Sequence, residues 1–256
     1  MQLLPLLTPD NALFLDFDGT LAEIAPLPDA VRVPSGLVHI LGSLQAQLGG
    51  ALAIVTGRRE TDIDGFLSPL QLPLASEHGA LYRLPDGSRL DMQAPDLAGV
   101  LAAAVALADR TPGLVVERKR ASVALHYRLA PQMQIMCRDV LVQAMQGIAG
   151  VELLEGKCVY EVKPQGVNKG QAIHAFMTQA PFAGRTPVFV GDDVTDEAGF
   201  FAVRELGGAA IKVGEGPTHA QYRCLSPAAL RGWLASVRTA LPPAPMPASG
   251  PRSQAA

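Results

Sequence analysis

Three cysteines in 256 residues, Cys137, Cys158 and Cys224, are too few and too widely spaced for a disulfide framework or for a zinc site, which needs paired ligands. They read as reduced, structural residues of a cytoplasmic protein. Excess positive charge is also missing: 21 Lys and Arg stand against 24 Asp and Glu, a formal net charge of −3. That balance argues against a nucleic-acid backbone or an anionic membrane surface as the main partner, so any phosphate must be bound locally. No uninterrupted apolar run reaches the roughly 18–20 residues a membrane helix requires. The apolar start MQLLPLLTPD lacks a basic region and is broken by Pro5 and Pro9, so it reads as a lead-in to the first strand rather than a signal peptide. The final PPAPMPASGPRSQAA shows no periodicity, and a disordered tail is expected over 242–256.

What is present is ample core material, 48% hydrophobic residues, enough for one large or two modest domains. Four runs, Ala12 to Phe17, Ala51 to Thr56, Pro187 to Gly191 and Ala209 to Val213, are mostly unbroken rather than alternating, as in strands buried on both faces of a parallel sheet. Helical patterns separate them at Ser35 to Leu48, Arg59 to Leu67, Lys169 to Gln179, Asp196 to Glu205 and Pro227 to Leu241. This α/β alternation predicts a doubly wound parallel-sheet core. Between residues 86 and 164 the pattern changes to αββαββ: helices at Pro95 to Arg110 and Pro131 to Gln146, strands at Leu114 to Lys119, Ser122 to Leu129, Val151 to Glu155 and Cys158 to Lys163. The expectation is an inserted α+β cap at 86–164, an antiparallel sheet with two helices on one face, within a core made of 1–85 and 165–241.

In a parallel sheet, ligands bind beyond the carboxyl ends of the strands, and here each end carries polar groups. The first ends in Asp16-Phe17-Asp18-Gly19-Thr20. If the strand lasts that long, both acids project the same way, and crowded carboxylates call for a cation or an acid/base role. A solvated Asp-Gly turn is the plain alternative. The second ends in Thr56-Gly57-Arg58-Arg59, a hydroxyl, a close backbone approach and positive charge at a helix start, which suits an anion. The third ends in GDDVTDEAGF with Asp192, Asp193 and Asp196, and Lys169 opens the preceding helix. Singly, these are explained as helix caps and surface charges.

Their order, D-x-D-G-T-L, then Thr, then Lys, then G-D-D-x-x-D across residues 12–213, resembles the haloacid dehalogenase superfamily of phosphohydrolases, and the insert resembles its C2-type caps. The resemblance implies Asp16 as nucleophile forming an aspartyl-phosphate and Asp18 as general acid and base. It implies Mg²⁺ held by Asp16, the Asp18 carbonyl and Asp192. Asp193 and Asp196 would stand outside these ligands, holding the metal's waters or Lys169. Thr56 and Lys169, with Gly57 and Arg58 beside them, would bind the phosphoryl oxygens. Thr56 departs from the Ser common at this position, but either hydroxyl donates to phosphate.

Four stretches, SEHGA (76–80), VERKRASVALHYR (116–128), EVKPQGVNKG (161–170) and GDDVTDEAGFFAV (191–203), resemble trehalose-6-phosphate phosphatases in particular. A disaccharide is uncharged beyond its phosphate and needs paired donors and acceptors. Strand alternation puts Glu117 with Lys119, His126 with Arg128, and Glu161 with Lys163, so each pair is expected to line one cap surface. Without the resemblance these are solvated charges on an open sheet face. Glu77 and His78, at a core strand end near the cap hinge, are further candidates. The expected partner is a small sugar phosphate, with functional coupling to a trehalose-6-phosphate synthase. A phosphatase for sucrose phosphate or a hexose phosphate, or a sugar phosphomutase, would use the same core. A catalytically idle sugar-phosphate sensor is the alternative from another class.

Overall fold

The computed structural model describes residues 3–25, 27, 30–91 and 94–243. The chain runs β1 (Asn11–Leu15), α1 (Leu37–Gln47), β2 (Leu52–Val55), α2 (Glu60–Leu67), β3 (Leu74–Ser76), β4 (Leu81–Arg83), β5 (Arg89–Asp91), α3 (Ala98–Ala108), β6 (Val115–Arg118) and β7 (Val123–His126). It continues α4 (Gln134–Ala144), β8 (Val151–Gly156), β9 (Val159–Pro164), α5 (Lys169–Met177), β10 (Thr186–Gly191), α6 (Glu197–Glu205), β11 (Ala209–Val213), β12 (Tyr222–Cys224) and α7 (Pro227–Ala240).

The unbroken apolar runs become central strands because both faces of their sheet are covered. The larger sheet has the order β12-β11-β10-β1-β2-β3-β4-β5, parallel from β12 to β3. Leu13 and Leu15 of β1 face a layer built by Leu41 and Leu44 of α1 and Leu230 and Leu234 of α7. Ala12 and Phe14 face the other way, into a layer with Ile173 and Phe176 of α5 and Phe200 of α6. Phe14, Phe176 and Phe182 meet at centroid distances of 5.1–6.0 Å, so truncating Phe176 to Ala would cost about 3–5 kcal/mol. Parallel register sets Leu15 beside both Val190 and Ile54. Asp16, Thr56 and Asp192 therefore leave the sheet at one end.

The smaller sheet, β6-β7-β9-β8, is antiparallel throughout. Val123, Leu125, Tyr160 and Val162 pack one face against Val100 and Leu107 of α3 and Leu141 of α4. Alternation sends Glu117, His126 and Glu161 to the opposite face.

Two features depart from the sequence reading. Arg89–Asp91 pairs with β4 at the edge of the larger sheet, so residues 86–91 continue the core rather than opening the insert. The hairpin turn is set by Gly87 at φ 83°, with Asp86 accepting from both the Ser88 amide and hydroxyl. The strands β4, β5 and β12 were not foreseen, each being only three residues long. Of the expected tail, residues 244–256 lie outside the described residues. Among the described residues no helix is long and apolar enough to cross a membrane.

Candidate active site

β1 stops at Leu15, so Asp16 and Asp18 do not share a strand face. The chain then turns on Gly19, at φ 73°, whose amide bonds the Ala22 carbonyl at 2.8 Å. A side chain there would meet Asp192: a Cβ would sit 2.1 Å from its Oδ2. Glycine thus lets the β1 and β10 loops close on each other. Asp16 is buried, its Oδ1 accepting from Lys169 Nζ at 2.7 Å and its Oδ2 from the Thr20 hydroxyl at 3.1 Å.

The β10 loop is organised by Asp196, which is fully buried. Its Oδ1 accepts from Lys169 at 2.7 Å, and its Oδ2 from the amides of Asp192 and Asp193 at 2.9 Å each. Asp193 completes a reciprocal cap at this turn, accepting from the Val194 amide at 2.7 Å. Lys169 opens α5, whose start is capped by Asn168, and its ammonium bridges Asp16 and Asp196. Burial opposes that charge, but the two carboxylates hold the Lys169 pKa well above the ordinary lysine range.

Carboxylate oxygens of Asp16, Asp192 and Asp196 lie within 4.8 Å of one another. Among the described residues the Lys169 ammonium bonds to carboxylates of this trio, and the Lys212 ammonium to the Asp192 carbonyl. The Asp192 carboxylate accepts no hydrogen bond from the described residues, and burial, then Asp196, push its pKa up to about 7. Burial, with Asp196 and Asp192 close by, also raises Asp16 against the pull of Lys169. A hard divalent cation would relieve this excess negative charge, and an all-oxygen donor set fits Mg²⁺. Asp192 is the member of the trio whose carboxylate takes no hydrogen bond from the described residues; Asp16 shares its oxygens between Lys169 and Thr20, and Asp196 between Lys169 and the loop amides.

At the end of β2, Thr56 is buried and its Oγ1 accepts from the Arg58 amide at 3.2 Å, leaving its own proton for a ligand. Arg58 is turned to Asp18 in a two-point ion pair. The Gly57 carbonyl accepts from Lys119 of the cap at 2.9 Å.

Across from these groups stands the polar face of the smaller sheet. Glu117 and Glu161 both oppose Ala124, and each has a side-chain partner close by. His126 Nε2 lies 2.9 Å from Glu117. Glu161 is buried, accepting from Lys119 at 2.7 Å and from the Ser122 hydroxyl at 2.5 Å. Against the effect of its burial, Lys119 holds the Glu161 carboxyl well below the usual carboxylate range. Arg128 donates to the Lys157 carbonyl at 2.9 Å.

One cavity of about 200 Å³ is lined by both halves: Asp16, Thr56, Lys169 and Asp192 on the core side, Glu117, Lys119, His126, Arg128 and Glu161 on the cap side. Asp18, Gly57, Arg58 and Asp193 also reach it. Its volume lies below the roughly 300–1,000 Å³ of small-molecule pockets. Lys163, expected beside Glu161, is outside the lining. β9 ends one residue later, and the ammonium is taken by the Glu152 carboxylate and the Val167 carbonyl of the return linker. His78 lines the cavity, 3.6 Å from Glu161, with its pKa lowered by burial. Thr20 and Ser122, which position Asp16 and Glu161, were not singled out from sequence although both lie within the motif stretches.

A family model described as trehalose-phosphatase matches residues 14–228, spanning both sheets. Trehalose-6-phosphate phosphatase of Escherichia coli is 42% identical over 246 residues, covering 93% of this chain and 90% of that protein. A probable trehalose-phosphate phosphatase of Sinorhizobium fredii is 46% identical over 209 residues, 80% and 78% of the two chains. Among solved structures, the C-terminal domain of C. albicans trehalose-6-phosphate phosphatase superposes with a TM-score of 0.81 at 21% identity, covering 91% of this chain and 93% of that one. A haloacid dehalogenase-like hydrolase from B. subtilis superposes with a TM-score of 0.61 at 14% identity, covering 90% and 100%. At those identities the two structures speak for the fold alone.

Proposed function

The chain belongs to the trehalose-phosphatase family, phosphoric monoester hydrolases on the haloacid dehalogenase fold, and we propose that it hydrolyses trehalose 6-phosphate to trehalose and inorganic phosphate through an aspartyl-phosphate on Asp16. The observation that carries the reading is the single cavity in which Asp16, Thr56 and Lys169 face the polar sheet surface of Glu117, His126 and Glu161. Phosphoryl chemistry belongs to one wall and sugar recognition to the other.

In the first step a carboxylate oxygen of Asp16, held by Thr20 and Lys169, attacks phosphorus as the bond to the sugar oxygen breaks. Asp18, released from its ion pair with Arg58 and protonated, gives its proton to that oxygen as trehalose leaves. In the second step Asp18 takes a proton from water as its oxygen attacks phosphorus, and the Asp16–phosphorus bond breaks. Thr56 and the Lys169 ammonium bind the phosphoryl oxygens, where fixed donors act without reorganising. Mg²⁺, held by Asp16, Asp192 and the Asp18 carbonyl, would add positive charge where phosphoryl charge develops. Glu117, Lys119, His126, Arg128 and Glu161 offer the sugar hydroxyls both donors and acceptors. A cytoplasmic setting, supported by three unpaired cysteines, and functional coupling to a synthase supplying the substrate belong to the same reading.

Phosphate release from trehalose 6-phosphate, sucrose 6-phosphate and glucose 6-phosphate at equal concentration, with Mg²⁺, tests the assignment. The highest kcat/KM is expected for trehalose 6-phosphate. Faster turnover of either competitor contradicts the substrate, and no turnover of any of them contradicts the activity.

A further inference from the structure

Glu77 is buried, does not line the cavity, and bridges the two halves of the molecule. It begins the 3₁₀ turn Glu77–Gly79 between β3 and β4, at φ 47°, and His78 follows at φ 62°. Two successive non-glycine residues in the left-handed region are uncommon, and here the conformation has a use. It aims the Glu77 carboxylate out of the core at the β6–β7 turn of the cap. Oε1 accepts from the Arg120 amide at 3.0 Å and Oε2 from the Ala121 amide at 2.7 Å. Both oxygens are therefore spent on backbone groups of the cap. The same turn carries Lys119, which reaches the Gly57 carbonyl and Glu161, and it seats Ala121 against Ala80, Leu81 and Val167.

The other end of this turn is tied to the β2 loop. The Glu77 amide donates to the Arg58 carbonyl at 3.1 Å, and the His78 amide to the Thr56 carbonyl at 2.9 Å. Thr56 is a proposed phosphoryl donor, and Arg58 holds Asp18. From this we infer that Glu77 is a positioning residue that couples cap closure to the phosphate-binding loop. Its side chain grips the cap only when the two faces meet, and its backbone passes that contact to the residues that hold Thr56 and Arg58. When the cap opens for substrate, the carboxylate and both cap amides return to water, so the bonds favour the closed state specifically.

The inference rests on the proposed function for its choice of substrate and for the role of Thr56. Glu77→Gln keeps the shape of the side chain but puts a donor opposite one of the two amides. A residue that merely fills space would tolerate this change. As a coupling residue, Glu77→Gln is expected to lower kcat/KM for trehalose 6-phosphate by about tenfold or more, with turnover of p-nitrophenyl phosphate, which has no sugar for the cap to close on, within about twofold of the unmodified enzyme. On the full chain, hydrogen exchange at the Arg120 and Ala121 amides is expected to accelerate by about tenfold while β1 and β10 keep their protection. Wild-type-like kcat/KM in Glu77→Gln, an equal fall for both substrates, or unchanged exchange at 120 and 121 overturns the inference. Failure of the functional reading is visible separately, as an unmodified enzyme that does not turn over trehalose 6-phosphate, and the exchange measurement then decides on Glu77 alone.

Discussion

Asp18 and Arg58 are joined at two points, Nε lying 2.6 Å from Oδ2 and Nη2 2.8 Å from Oδ1. They are far apart in sequence and meet because β1 and β2 are parallel neighbours that end side by side. The guanidinium also lies over the Phe66 ring, 5.0 Å from its centroid, and Phe66 stacks on Phe17, the residue between Asp16 and Asp18. Arg58 is thus fixed from two sides and fixes in turn the group assigned to proton transfer.

Arg58→Met removes the fork and leaves Asp18 unguided. Because small misplacement of a reacting group is costly, kcat for trehalose 6-phosphate is expected to fall by about 10²-fold. Arg58→Lys is expected to recover little, since an ammonium cannot form the parallel pair of bonds. Full activity in the Lys variant would show that the two-point geometry is dispensable.

The carboxylate trio sets the response to metal. Mg²⁺ is expected to raise the melting temperature of the wild-type protein, and chelation to abolish phosphate release without unfolding it. In Asp192→Asn one of the three mutually repelling acids is gone, so the metal-free variant should be at least as stable as the wild type while its melting temperature responds much less to Mg²⁺. Thermal scans with and without the ion check this. An equal response in both proteins places the cation elsewhere.

Glu161 is the counter-charge of buried Lys119, so Glu161→Gln is expected to destabilise the fold by about 3–5 kcal/mol at neutral pH. The pH dependence has a definite sign. The folded-state pKa is depressed, so the contribution is complete above the unfolded carboxylate pKa of about 4.3 and is lost as pH falls from there through the folded value. Denaturation of wild type and variant between pH 8 and pH 3 should show a constant gap down to about pH 5 that narrows below. A gap that widens with acidification contradicts the assignment of charge.

Removing His126 should separate recognition from chemistry. His126→Ala is expected to lower kcat/KM for trehalose 6-phosphate by about one to two decades, the worth of a hydrogen bond to a charged or polar sugar-binding group. Turnover of p-nitrophenyl phosphate should change little. Equal losses on both substrates would move His126 from sugar recognition to support of the fold.

The central strands were legible because Asn11–Leu15 and Leu52–Val55 are buried on both faces and carry no polar interruption. Strands of three residues, such as Leu74–Ser76 and Arg89–Asp91, are too short to show a period, which hid the core's extension to Asp91. Strand alternation treats Lys119 and Lys163 alike. What separates them is tertiary: Lys119 meets the Gly57 carbonyl across the cavity, whereas Lys163 lies beside the return linker and is captured by Val167. The Asp18–Arg58 pair and the Glu77 bridge depend on strand register and loop closure, and neither leaves a local pattern in the sequence.

The proposed mechanism depends most directly on Asp16 receiving the phosphoryl group. Turnover of trehalose 6-phosphate labelled in its phosphate, stopped in acid and digested, should give a peptide containing Asp16 that carries the label and loses it to hydroxylamine. Asp16→Asn, shown to be folded, should give neither labelled peptide nor turnover. A labelled peptide lacking Asp16, or near-normal turnover in Asp16→Asn, would contradict the mechanism at its root.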